Sequence, residues 1–76
     1  MTKQNASMSN RREIERKAKE YVKIRGKGNV QMVLEHLEIY DLNTIEKQKS
    51  YKCIEALDKM IETSLKIEKA FRDGHL

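Results

Sequence analysis

From Thr44 to Arg72 the chain contains neither glycine nor proline, and no cluster of turn-forming residues interrupts it. An unbroken tract of about 29 helix-compatible residues predicts a rod about 43 Å long, at 1.5 Å per residue. That rod sets the problem for the rest of a 76-residue chain. Whatever else the sequence forms must shelter its apolar side. Thr63 and Ser64 have the chemistry to cap a new helix, so a break at that point is the one alternative to continuity. The remainder of the sequence also favours helix. It has no proline and three glycines, it is rich in Ala, Leu, Glu, Lys, Arg and Met, and no run alternates with period two between turn residues.

Two shorter helices are predicted upstream. Asn10-Arg-Arg-Glu13 has the cap-and-carboxylate spacing of a helix start, with Ser9 as the other candidate cap. Ile14, Ala18, Tyr21 and Val22 then recur at helical spacing. Gly26 suits a left-handed C-cap behind Lys23 and Arg25, giving a first helix over residues 10–25. Asn29 can cap a second helix whose stripe is Val30, Val33, Leu34, Leu37 and Tyr40, with Met32 and Ile39 nearly opposite. A helix apolar on two sides asks for contacts on both. Met32 and Ile39 are therefore candidates for a second partner contact or for packing against the first helix. Asn43 with Glu46 repeats the cap spacing before the long tract. The expected architecture is all-α: a mobile polar N-terminal tail over 1–9 and a single helical domain over 10–76. Within it, the short second helix folds back on the third as a helical hairpin, because the 41–44 connection is short.

The lengths do not match. Against a rod of about 43 Å, a second helix of about 16 Å covers little beyond residue 57, and if the first helix, about 24 Å long, folds back on the second, the stripe beyond has no partner; the alternative is that the first helix lies along that half, or that the rod breaks and closes a monomeric bundle. Cys53, Leu57, Met60, Ser64, Ile67 and Phe71 keep a 4-3-4-3-4 spacing, and Ile54, Ile61 and Leu65 widen that seam. Each large apolar side chain left in water forgoes about 1.5–3 kcal/mol. A homodimer joined through Met60, Ile61, Leu65, Ile67 and Phe71 is the expectation, since a single core this small rarely supplies more than about 3–5 kcal/mol.

Charge is unevenly placed. Sixteen Lys and Arg against twelve Asp and Glu leave a net +4. Residues 1–29 carry +6, residues 30–46 carry −4 and residues 47–76 carry +2. Arg12, Arg16, Lys19 and Lys23 fall within about 60° of one another around the first helix, with Lys27 just beyond it. This stripe has two readings: contact with a nucleic-acid phosphate backbone, or a solvated face on which Glu13 and Glu15 pair with Lys17 and Lys19. A helix-turn-helix is disfavoured, because the second helix carries Glu35, Glu38 and Asp41 and no base to meet DNA.

Little in the sequence points to catalysis. A single cysteine, Cys53, allows no intrachain disulfide. His36, Cys53 and His75 lack zinc-ligand spacing. Gly26-Lys27-Gly28 lacks the pattern of a phosphate loop. No secretory leader and no apolar run of spanning length is present. The expectation is a cytoplasmic, non-enzymatic helical binding protein without metal, cofactor or small-molecule substrate. It would act as a regulator, inhibitor or assembly factor, by self-association and contact with a protein partner. The rival is a nucleic-acid-associated protein using Arg12, Arg16, Lys19, Lys23 and Lys27.

Overall fold

The structure is a computed structural model that describes residues 4–72 and 74. Three α-helices account for most of it: α1 (Met8–Arg25), α2 (Val30–His36) and α3 (Lys47–Arg72), with a single 3-10 turn at Leu42–Thr44. Among the described residues there is no strand, only an isolated antiparallel bridge between Asn5 and Glu46. The molecule is elongated, 53 × 19 × 18 Å.

α1 starts before the expected Asn10. Ser7 is the cap, its Oγ accepting from the Asn10 N–H at 3.1 Å. The Asn10 side chain is thus available elsewhere, and its Nδ2 donates to Ser50 Oγ on α3 at 3.1 Å. Ser50 is fully buried and donates in turn to the Lys47 carbonyl at 2.5 Å. The other end of α1 is as expected. Gly26 sits at φ 72 and returns its N–H to the Val22 carbonyl at 2.9 Å.

Residues 4–9, read above as part of a polar tail, are tied into the fold. The Ala6 N–H donates to the Ile45 carbonyl at 2.8 Å, and the Lys47 N–H to the Gln4 carbonyl at 2.9 Å. The second bond satisfies one of the orphan donors in the first turn of α3. Ala6 is buried and joins the core. Residues 1–3 lie outside the described residues.

α2 is shorter than its apolar stripe suggests. It ends at His36 in a paired terminus, in which the Ile39 N–H reaches the Leu34 carbonyl at 2.8 Å and the Glu38 N–H reaches the Glu35 carbonyl at 2.9 Å. These are the two bonds of a Schellman motif. The left-handed position in it, usually glycine, is Glu38 at φ 60. Lys49 on α3 donates its Nζ to the Glu38 carbonyl. The turn swings Ile39 into the core and leaves Tyr40 exposed. Asp41, not Asn43, provides the next cap, its Oδ1 accepting from the Asn43 N–H at 3.0 Å over the 3-10 turn. α3 then begins at Lys47 and runs without a break through Thr63 and Ser64.

The helical hairpin between the second and third helices is not formed. α1 is the main partner of α3, and α2 packs chiefly on α1. α1 and α3 run parallel. Asn10 meets Ser50 near their starts and Lys17 meets Asp58 further along. The reason lies in lengths. Seven residues of α2 span about 10 Å, whereas α1 spans about 27 Å and carries the face of Ile14 and Ala18, both fully covered. The irregular 37–46 segment then returns the chain to the start of α1. Ile14, Ala18, Val33, Ile39, Ile45, Cys53 and Leu57 form the core where these elements meet.

Candidate interaction surfaces

α3 outruns α1. Ile24, Arg25 and Lys27 sit level with Ser64, Ile67 and Glu68, so α1 and its turn end there. Of the five residues of the expected seam, Ile61 is 9% exposed and belongs to the interior, and Met60 is half-buried. Leu65, Ile67 and Phe71 are 48%, 44% and 67% exposed. These three do not share a face. Ile67 and Phe71 are four apart and prolong the side of α3 that carries Cys53, Leu57 and Ser64 inside the fold. Leu65 lies about 160° round the helix from Ile67. The outward apolar feature is thus a knob of Ile67 and Phe71, narrower than the seam read from the sequence.

A second apolar surface was not visible in the sequence as a unit. α2 and α3 both lean on α1 and leave a cleft of about 510 Å³, lined by Tyr21, Val33, Met32, His36 and Met60. The α1–α2 turn closes one end with Arg25 and Lys27, and no acidic residue lines it. Met32, 59% exposed, belongs to this surface. Ile39 does not, being 4% exposed in the core, so the expected pairing of Met32 with Ile39 as one contact is corrected. The signal in the sequence was a methionine off the main stripe. Its companions came from two other helices.

The basic stripe is partly neutralised by its own helix. Arg16 pairs with Glu13, and Lys19 with Glu15 at 3.1 Å. Arg12, Lys23 and Lys27 are exposed and make no ion pair among the described residues. Lys17 points the other way. It pairs with Glu13 at 3.5 Å and with Asp58, joining α1 to α3. Its hydrogen bond to Asp58 holds the Lys17 ammonium above the ordinary lysine range. The Arg16 hydrogen bond holds the Glu13 carboxyl below the carboxylate range, with burial opposing it.

Chemical groups are scarce. Cys53 is buried, and burial pushes its thiol up, away from the thiolate a nucleophile needs. His36 is exposed at the cleft edge. Among the described residues no three His, Cys, Asp or Glu side chains gather in a way that could hold a metal ion. No described helix is long and apolar enough to cross a membrane. His75 lies outside the described residues. No family model, no curated protein and no solved structure matches this chain.

Proposed function

We propose that this chain is a non-enzymatic helical interaction protein, a regulator, inhibitor or assembly factor, that self-associates through the C-terminal part of α3. The observation that supports this is the continuation of α3's inward side to and past the end of α1, where Ile67 is 44% and Phe71 67% exposed. Covering what remains exposed of the two would contribute about 2–3 kcal/mol together, a large part of the stability expected of so small a core. Sedimentation equilibrium tests the reading. The chain is expected to be a dimer at high micromolar concentration. Ile67→Asp with Phe71→Asp should give a monomer of unchanged helicity, and Leu65→Asp should leave association intact. A native chain that stays monomeric throughout that range removes the proposal.

A second reading has its own support: Arg12, Lys23 and Lys27 stand exposed without acidic partners. Binding to a nucleic-acid backbone through them would be insensitive to sequence. With three phosphates neutralised, log K would fall with log salt at a slope of about −2.7. Electrophoretic mobility shift with unrelated duplexes is the assay. Absence of any shift at low salt ends this reading.

A further inference from the structure

We propose that the α2–α3 cleft is the receptor for the Ile67/Phe71 knob of a second copy, so that two chains pair antiparallel and each fills the other's cleft. This rests on the self-association reading and names the surface that completes it. The first argument is area. A phenylalanine buries about 150–250 Å² at most, and Ile67 is already more than half covered by its own chain. Knob against knob therefore falls well short of the ~800 Å² per partner that a stable dimer uses. A second apolar surface must enter the interface, and the cleft, which shares Met60's side of α3 with the knob, supplies one.

The second argument is placement. Met60 in the cleft and Ile67 and Phe71 in the knob lie within about 40° of one another around α3. Met60 and Phe71 are about 16 Å apart along it. A two-fold axis midway between them, level with Leu65 and Lys66, brings Phe71 of each copy to Met60 of the other. The contact is then self-complementary and closes on itself without forming a filament. Methionines at 32 and 60 suit such a receptor, because an unbranched thioether adapts its shape to an incoming ring.

Complementation between two variants tests this. Met32→Asp spoils the cleft and Phe71→Asp spoils the knob. Both side chains are more than half exposed, so circular dichroism should match the unmodified chain. Each variant alone is expected to raise the dimer dissociation constant at least tenfold, read by sedimentation or fluorescence self-quenching. Mixed in equal amounts, they should form a heterodimer tighter than either homodimer, because one intact knob meets one intact cleft. If Met32→Asp associates as the unmodified chain does, or if mixing restores nothing, the cleft is not the receptor, while self-association itself still stands. If the unmodified chain does not associate, the underlying reading fails and the inference with it.

Discussion

Leu57→Ala and Leu65→Ala make the sharpest test of the packing, because they delete the same three carbons from the same helix two turns apart. Leu57 is completely covered where α1 meets α3, and Leu65 is 48% exposed. Alanine keeps the helix intact in both. At position 57 the loss is the full transfer term plus a cavity that neighbouring side chains only partly refill. Such changes cost about 2.7–5 kcal/mol, and the upper part of that range would exhaust the stability expected of the chain. At position 65 about half the side chain already faces water and no enclosed cavity forms. The cost there should be about 1 kcal/mol or less. Urea titration followed by circular dichroism at low protein concentration gives both values from the midpoints, provided the slopes agree with the unmodified chain. Equal costs at the two sites, or a Leu57→Ala cost under about 1 kcal/mol, would refute the assignment of Leu57 to the centre of the core.

Three other expectations follow from individual contacts. Glu38→Gly should stabilise the chain by about 0.5–1 kcal/mol in the same titration, since relief of a left-handed conformation outweighs the added freedom of the unfolded glycine. Ser50→Ala should cost about 1–3 kcal/mol by stranding the Asn10 amide, and adding Asn10→Ala should cost less than the two separate losses together. Stability should also fall on the alkaline side. The Cys53 thiol and the Lys17 ammonium both have raised folded values, so their contributions are complete at neutral pH and decline at high pH, that of Cys53 above the ordinary thiol value of about 8.5 and that of Lys17 above the ordinary lysine value of about 10.4. Cys53→Ala should flatten the first part of that decline. Glu13, lowered in the fold, contributes in the opposite sense: its share is present above its ordinary value and is lost as pH falls toward acid.

Local chemistry was largely legible in the sequence, and long-range pairing was not. Gly26 announced the end of α1 because a left-handed C-cap favours the residue that pays no Cβ penalty, and the breaker-free tract announced α3. The start of α1 was misplaced, because Ser7 and Asn10 are equally good caps and only the Asn10–Ser50 bond decides between them. The end of α2 was misplaced because Glu38 occupies a site where glycine would have been the signal. An α2 prolonged to Tyr40 leaves a short loop and implies a hairpin with α3. Ending it at His36 frees enough chain to return to Ser7 and put α1 there instead. The excess length of α3 was correctly read, but Ile61 is sheltered by the chain itself and Leu65 faces away from Ile67. The cleft needed three helices in their final places before it existed at all.

The parallel course of α1 and α3 bears on how fast the chain folds. In an up-and-down bundle the long helices are neighbours in sequence and meet across a few residues. Here the contacts that join them are 40 and 41 positions apart. Closing a segment of that size in place of a five-residue one costs about 1.8 kcal/mol more in chain entropy, or roughly a twentyfold slower search. Despite its purely helical make-up, the chain joins its two long helices through contacts more than half its length apart, which raises its contact order above that of an up-and-down bundle. The irregular stretch after α2, which looks like mere connection, sets the pace at which the two long helices find each other.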